Sequence, residues 1–294
     1  MLYYNVTSQT ATASMRPILF SILLNLCLNV YMVSATALAA PRVVTSIAPL
    51  QEVTAALMAG VTSPQSIITG NASAHHFALR PSHMRLLQQA DLVIWVDRNF
   101  EAGFNRIAET LPSSVEQLEI LPALGIASDD GHIWYSPRLL QLLITIITTH
   151  LLEVDPQNQL LYRDNARQLS NAIETWRSET VAQMGDRQPR FITDHAFTSH
   201  FENDMGYPAI ATIHDHHDDH GGLRELGTIE DRLRKQSANC LLTLESSASL
   251  LALELARKYH LKVISLPSMP VTDSQQPAII QRLQKLASAV YECS

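Results

Sequence analysis

A segment of 28 residues, 157–184, contains neither proline nor glycine and separates two stretches in which strand and helix patterns alternate. Its apolar residues recur among charged ones with helical spacing, which predicts one helix about 40 Å long. Each flanking stretch alternates short apolar runs with amphipathic segments, an order typical of a parallel sheet covered by helices. The sequence therefore predicts an α/β protein of two lobes, each a parallel sheet flanked by helices, joined by one long rigid helix.

The strand predictions rest on β-branched or continuous apolar runs. DLVIWV (91–96) in the first half and CLLTLE (240–245) in the second are the clearest. A strand that is covered on both faces of a parallel sheet has this unbroken apolar character. We predict the other strands at 42–47, 66–69, 115–120, 190–193 and 262–267.

The first 40 residues have the composition of an export signal. Arg16 is followed by an apolar stretch at 18–33 and by a small-residue tail that contains Ala37-Leu38-Ala39. A positive start, a short apolar core and an A-x-A site are the parts of a cleaved secretory signal peptide. The apolar core is shorter than the roughly 20 residues of a membrane span, which makes an anchor the weaker alternative. We expect a soluble exported protein that is cleaved after Ala39 or Ala40.

These patterns divide the chain into a signal peptide at 1–40, an N-terminal α/β lobe at 41–155, a connecting helix at 156–186 and a C-terminal α/β lobe at 187–294. The apolar share of 46% is enough for two buried cores. The formal net charge is −7 and the chain shows no basic footprint, so we expect no nucleic-acid partner. We expect the protein to be a monomer.

An exported protein enters an oxidising compartment, and this predicts the state of its cysteines. Removal of the signal leaves Cys240 and Cys293. An even pair in an oxidising compartment predicts one disulfide, and two unpaired thiols are the alternative.

Three histidines lie in loops next to predicted strands or helices. His75 follows the strand at 66–69, His132 lies just before a helix, and His195 directly follows a strand. In open α/β sheets, ligands bind outside the carboxyl ends of the strands, so these three side chains are expected to converge between the lobes. Neutral imidazole suits Zn²⁺, and three such ligands leave a fourth coordination position open. The sequence therefore predicts a zinc site.

Longer motifs surround these histidines: NASAHHFALRPSHMRLLQQADLVIWV (71–96), HIWYSP (132–137) and DHAFTSHFENDMGY (194–207). Together with VVTSIAPL (43–50) and the paired cysteines, they resemble the metal-binding substrate-binding proteins of ABC transporters, specifically the periplasmic zinc-uptake proteins. The resemblance implies two α/β lobes around a rigid helix. It also implies a periplasmic protein, not an enzyme, that binds Zn²⁺ with high affinity in the cleft and delivers it to a membrane permease.

By motif position, the resemblance implies that His75, His132 and His195 are the metal ligands and that Cys240 and Cys293 form a disulfide. The chain departs from the family pattern in the loop after the last strand. Family members often place an acidic ligand there, whereas this chain has Pro267. Asp273, six residues later, is the candidate fourth ligand, and a water molecule is the alternative.

A second group of histidines lies at 214–220, in the sequence HDHHDDH, followed by two glycines. It predicts a mobile loop that binds a second metal ion through its imidazoles. The alternatives are a solvated polar loop and a loop that supplies one ligand to the main site. The histidines of this secondary metal-binding loop are His214, His216, His217 and His220.

Two other functions stay open at this stage. The first is a manganese- or iron-binding member of the same family, although manganese favours more carboxylate oxygen than this site offers. The second is a zinc-dependent hydrolase, because a three-histidine site with an open position can activate water. The chain has no H-E-x-x-H motif to supply a general base, which makes the hydrolase less well supported.

Overall fold

The computed structural model places every element discussed here in one unit, Ala40–Ser294. The predicted boundaries of the lobes and of the connector, at 41–155, 156–186 and 187–294, stay predictions. The described residues are 1, 39–68, 77, 79–126, 130–214, 223–245, 248–267 and 276–294.

The N-terminal lobe contains a parallel sheet with the strand order β2-β1-β3-β4. Its strands are β1 (Val43–Thr45), β2 (Gln65–Ser66), β3 (Leu92–Trp95) and β4 (Glu116–Glu119). The helices of this lobe are α1 (Ala48–Leu57), α2 (Pro81–Gln88), α3 (Ala102–Ala108) and α4 (Ile120–Ala123). All residues of β3 are buried, as the unbroken apolar run LVIW predicts for a central parallel strand.

The C-terminal lobe repeats this order as β6-β5-β7-β8, again with parallel pairing. Its strands are β5 (Phe191–His195), β6 (Ala211–His214), β7 (Cys240–Leu244) and β8 (Lys262–Leu266). Its helices are α7 (Ser199–Met205), α8 (Leu223–Lys235), α9 (Leu250–Lys258) and α10 (Ala278–Tyr291). In each sheet the strand that comes first in sequence lies between the second and the third. This arrangement creates a topological switch point at its carboxyl end.

Two long helices lie between the sheets in sequence. They are α5 (Pro137–Val154) and α6 (Gln159–Met184), separated by a 3-10 turn at Pro156–Asn158. The 26 residues of α6 span about 39 Å. The predicted start of α6 at residue 157 is slightly early, because Pro156 begins the turn. α6 packs against α5, α1 and α10, so one helix contacts elements of both halves.

The sequence predicts a fold class that the structure confirms, with one strand missed. No strand is predicted at 211–214, where His214 begins the predicted histidine-rich loop, but Ala211–His214 forms β6 and pairs with β5. Only Ala211 and Ile213 of this strand are buried, which makes its apolar pattern too short to recognise beside the polar run that follows.

The predicted disulfide is confirmed. Cys240 and Cys293 are bonded, with their Cα atoms 5.5 Å apart, and both residues are buried. The bond joins the first residue of β7 to the end of the chain. The carbonyl oxygen of Cys293 also accepts hydrogen bonds from the N–H of Arg190 at 2.9 Å and from Asn239 at 3.0 Å.

Candidate metal centre

His132 and His195 are brought together although they belong to different lobes. His132 lies just before a 3-10 turn, Ile133–Tyr135, that leads into α5, and His195 is the last residue of β5. Their ring centroids are 5.3 Å apart, and each residue is 5% exposed. Two imidazoles at this separation are close enough to approach one ion between them.

Asp130 determines the orientation of the His132 ring. Its Oδ1 atom accepts the backbone N–H of His132 at 3.0 Å and lies 2.8 Å from Nδ1 of the ring. Burial alone would raise the pKa of Asp130, but hydrogen bonding and charge from His132, with the charge of His200, lower it below its usual value. An ionised carboxylate can only accept, so Nδ1 of His132 is the donor in this contact, and in the neutral imidazole this leaves the lone pair on Nε2. This is the carboxylate–imidazole arrangement that orients metal ligands.

Aromatic side chains enclose the two imidazoles. The ring of Phe100 meets His132 edge-on at a centroid distance of 5.1 Å, and Trp134 lies 5.2 Å from His132. Phe197 lies 5.0 Å from His195 and 6.4 Å from His132. All three aromatic residues are buried. The rings therefore face a largely apolar wall, in which polar interactions are stronger than in water.

Gly131 is required by the close packing of this wall. A Cβ atom at this position would lie 2.4 Å from Cδ2 and 2.6 Å from Cγ of Phe100. Phe100 in turn packs against His132. Only a residue without a side chain fits between Asp130 and His132 while Phe100 keeps its place.

Hydrogen bonds from α7 attach the His132 segment to the C-terminal lobe. Nε2 of His200 lies 3.0 Å from the carbonyl oxygen of Asp130. Asp204 accepts the hydroxyl of Ser136 and, at 3.0 Å, the backbone N–H of Arg138. Ser136 also caps α5. The position of His132 thus depends on both lobes.

The His195 side of the centre is supported by Asp194. Its carboxylate accepts the N–H of Ser249 at 2.8 Å and the hydroxyl of Ser249 at 2.7 Å. The Ser249 hydroxyl caps α9 by accepting the N–H of Ala252. His214 is the register partner of His195 on β6, and its Nε2 lies 3.4 Å from the Ser249 hydroxyl. The first histidine of the 214–220 group therefore lies beside His195, at the end of a strand.

The remaining sequence-predicted site residues lie outside the described residues. They are His75, Asp273, His216, His217 and His220. Sequence reasoning missed Asp130 as the partner of His132. It also missed the contacts of Asp194 with Ser249 and of His200 with Asp130, which support the segments that carry the candidate ligands. The sequence signal for Asp130 is its position two residues before His132, and an acid at this spacing from a histidine is common in loops.

A separate group of potential ligands lies at the amino end of β4. Nδ1 of His150 is 3.1 Å from Glu116 and 3.9 Å from Glu153. All three ligand atoms lie within 4.8 Å of one another, but the Glu116 and Glu153 side chains are 44% and 62% exposed. Exposed carboxylates beside a histidine are ordinary surface ion pairs, so we assign no metal to this group.

The model of the protein family "Zinc-uptake complex component A periplasmic" matches residues 43–293 of the chain. Among curated relatives, the high-affinity zinc uptake system protein ZnuA of Yersinia pestis is 27% identical over 239 residues. That alignment covers 69% of this chain and 75% of the relative.

Solved structures share the fold. A mutant of the laminin-binding adhesin Lmb from Streptococcus agalactiae has a TM-score of 0.75 at 20% identity, covering 86% of this chain and 100% of that one. A manganese-bound mutant of a periplasmic metal-binding protein from Candidatus Liberibacter asiaticus has a TM-score of 0.72 at 15% identity, with coverages of 86% and 100%. At these identities the structural likeness shows the fold alone.

Proposed function

Since the chain belongs to the family of the periplasmic component A of the zinc-uptake complex, we propose that it captures Zn²⁺ in the cleft between its lobes and delivers the ion to the membrane permease of an ABC transporter. The observation that carries this proposal is the 5.3 Å separation of the His132 and His195 rings, which come from different lobes. We also propose that the protein works in the periplasm after its signal peptide has been removed.

The proposed ligands are His132, His195 and His75, with Asp273 as the candidate fourth. Capture proceeds by coordination: neutral imidazoles replace water in the shell of the ion, which is the cargo of the protein. The Asp130 carboxylate supports this role because it holds the proton on Nδ1 of His132 and leaves the Nε2 lone pair for the metal. Release to the permease then requires that ligands from the two lobes separate.

The 214–220 group is proposed as a secondary metal-binding loop that collects zinc near the cleft. The position of His214 beside His195 supports this proposal, because a metal held by the loop would lie near the main ligands. His216, His217 and His220 are the other proposed ligands of this loop.

A manganese- or iron-binding transport protein is the second candidate, favoured by the fold shared with a manganese-bound protein. Imidazole ligands enclosed by aromatic rings favour zinc over manganese, which prefers carboxylate and water oxygen. A hydrolase has less support. Asp130, an acid close to His132, is engaged with His132 and His200 rather than placed to activate water.

The test is a zinc titration of the purified protein and of its His132→Ala and His195→Ala variants. Loss of a group that only orients a metal ligand weakens binding about 10–100-fold, so loss of a ligand is expected to raise the dissociation constant at least about 100-fold. His260→Asn is the matched control: His260 is exposed and has a positive φ of 55°, which asparagine tolerates.

The control variant is expected to bind zinc like the parent protein. An unchanged dissociation constant in His132→Ala or His195→Ala would remove that residue from the site. Competition between Zn²⁺ and Mn²⁺ in the same assay separates the two candidate functions.

A further inference from the structure

Helix α7 follows the segment that carries His195 and contacts the segment that carries His132. His195 is the last residue of β5, and one 3-10 turn, Ala196–Thr198, separates it from α7. α7 packs against α5 and against the 3-10 turn that follows His132. His200 and Asp204 lie four positions apart on α7, so their side chains share one face of the helix. Both side chains bond to the His132 segment of the other lobe.

The carboxylate of Asp204 lies at the amino end of α5. Its Oδ2 atom accepts the Ser136 hydroxyl and, at 3.0 Å, the backbone N–H of Arg138, the second residue of the helix. Its Oδ1 atom is 3.4 Å from Nε of Arg138. The Asp204 side chain is 11% exposed. The first N–H groups of a helix have no acceptor within the helix and carry partial positive charge, so a carboxylate is stabilised at this position.

α5 also has an N-cap of its own. Ser136 is the N-cap residue, and its hydroxyl oxygen accepts the N–H of Leu139 at 2.9 Å. The same hydroxyl donates its hydrogen to Asp204, so the carboxylate from the other lobe extends a cap that α5 makes with its own residues. Separation of the lobes removes Asp204 but leaves the bond between Leu139 and Ser136 in place. The stabilisation that Asp204 provides is therefore available only while the lobes are together.

His200 makes a second bond to the same segment. Its Nε2 atom lies 3.0 Å from the carbonyl oxygen of Asp130, two residues before His132. A carbonyl oxygen can only accept, so Nε2 of His200 is the donor. α7 therefore holds the His132 segment on both sides of the proposed ligand, at Asp130 and at Ser136.

A second ion pair between the lobes lacks this relation to the ligands. Glu52 of α1 and Arg282 of α10 form a buried pair, with 2.6 Å between Nη2 and Oε1 and side chains that are 1% and 6% exposed. Neither of these two helices carries a proposed metal ligand. Asp204, in contrast, bonds to the start of α5, which lies four residues after His132. Its contacts therefore act on the backbone that positions a proposed ligand.

We propose that Asp204 is a positioning residue that holds the lobes together around the bound ion and thereby slows the release of zinc. The inference rests on the proposed zinc-capture function. While the carboxylate bonds to Ser136 and Arg138, the His132 and His195 segments stay side by side. Release requires that these bonds break, so loss of the carboxylate is expected to make release faster.

The test compares the Asp204→Ala variant with the parent protein. Zinc-loaded protein is mixed with an excess of a chromogenic chelator, and the formation of the chelator complex reports the dissociation rate. Asp204→Ala is expected to release zinc about tenfold faster or more, the size of a typical coupling between two sites. The association rate is expected to stay close to that of the parent, because truncation of a buried charged partner acts mainly on dissociation.

A double-mutant cycle tests whether Asp204 acts through the start of α5. Ser136→Ala removes the other side chain of the contact, and Asp204→Ala/Ser136→Ala removes both. If the two residues act through one contact, the effect of the double variant on the dissociation rate is smaller than the product of the single effects. Asn203→Ala, at an exposed position of the same helix, is the matched control and is expected to release zinc at the parent's rate.

A folded Asp204→Ala variant with the parent's dissociation rate would overturn the positioning role and leave the proposed function intact. Fully multiplicative effects in the cycle would overturn the route through α5. A parent protein that binds no zinc would overturn both proposals. If Asp204→Ala does not fold, Asp204→Asn decides the question, since it removes the charge but keeps the shape and one acceptor. It is expected to release zinc faster than the parent by a smaller factor, and an unchanged rate would refute the role.

Discussion

At the scale of single residues, the segment Asp130-Gly131-His132 acts as one unit. The carboxylate selects the protonated nitrogen of the imidazole, and the glycine lets Phe100 pack against the ring. A histidine on an exposed loop loses side-chain entropy when it binds a metal. The His132 ring is already held by Asp130 and Phe100, so the proposed binding of an ion requires less ordering of this side chain.

The packing at Gly131 predicts the effect of the Gly131→Ala substitution. The new methyl group has to displace Phe100, and overpacking of this kind destabilises a core by about 1–3 kcal/mol. Because Phe100 contacts His132, we also expect a zinc dissociation constant about tenfold higher, measured by chelator competition.

Gly227→Ala provides the control for this substitution. Gly227 lies in α8, and a Cβ atom there meets nothing within 4 Å. Alanine favours a helix over glycine by about 1 kcal/mol, so this variant is expected to be slightly more stable and to bind zinc normally. Equal zinc affinities for the two variants would contradict the close packing inferred at Gly131.

At the scale of elements, Glu101 attaches the start of α3 to the end of β3. Its Oε2 atom accepts the N–H of Val96 at 2.6 Å, and its own N–H donates to the carbonyl of Asp97. The residue is 1% exposed, and burial raises the pKa of Glu101 to about 7. Between pH 4.5, the ordinary pKa, and pH 7, the folded protein thus holds a proton that the unfolded chain releases.

This raised pKa predicts how stability depends on pH. The contribution of Glu101 to the free energy of unfolding is greatest below pH 4.5 and decreases as the pH rises to about 7, by up to about 3 kcal/mol. Glu101→Gln does not titrate, so its stability relative to the parent protein is expected to be higher at pH 8 than at pH 5. Urea unfolding at the two pH values measures this difference.

Glu109→Gln, at the exposed carboxyl end of the same helix, is the control, and its difference from the parent is expected to be the same at both pH values. If Glu101→Gln behaves like this control, the carboxyl group of Glu101 is not responsible for any pH dependence of stability.

The elements also show which parts of the fold can be predicted from sequence. β3 and α6 are predictable because their patterns are long and local: four buried apolar residues in one case, 26 residues without proline or glycine in the other. β6 is not, because a strand of four residues with two buried positions has little pattern of its own. The Glu52–Arg282 pair leaves no local signal, since 230 positions separate its members and only the packing of α1 on α10 brings them together.

At the scale of the whole molecule, three sets of polar contacts join elements of the two lobes. They are Glu52 with Arg282, Asp130 with His200, and Ser136 and Arg138 with Asp204. The shared helix α6 packs against elements of both halves. Separation of the lobes has to break these contacts. The proposed metal ligands also come from both lobes, so the same separation moves the proposed ligands apart.

The disulfide supports this arrangement from the end of the chain. It joins two residues that are 53 positions apart and closes a loop that contains β7, α9, β8 and α10, the helix that carries Arg282. In the chain-entropy description, closure of a loop of this length restricts the unfolded state by about 4 kcal/mol. The packing of α10 is therefore expected to be more stable when the Cys240–Cys293 disulfide is formed than when it is reduced.

The disulfide thus leads to a prediction for the Cys240→Ala/Cys293→Ala variant. Loss of about 4 kcal/mol lowers the thermal midpoint by roughly 10 °C for a protein of this size, a change that circular dichroism measures directly. Dithiothreitol is expected to lower the midpoint of the parent protein similarly and to leave the variant unchanged, which separates loss of the bond from loss of packing. A variant that melts within about 2 °C of the oxidised parent would show that the hydrogen bonds of Cys293 with Arg190 and Asn239 hold the chain end without the disulfide.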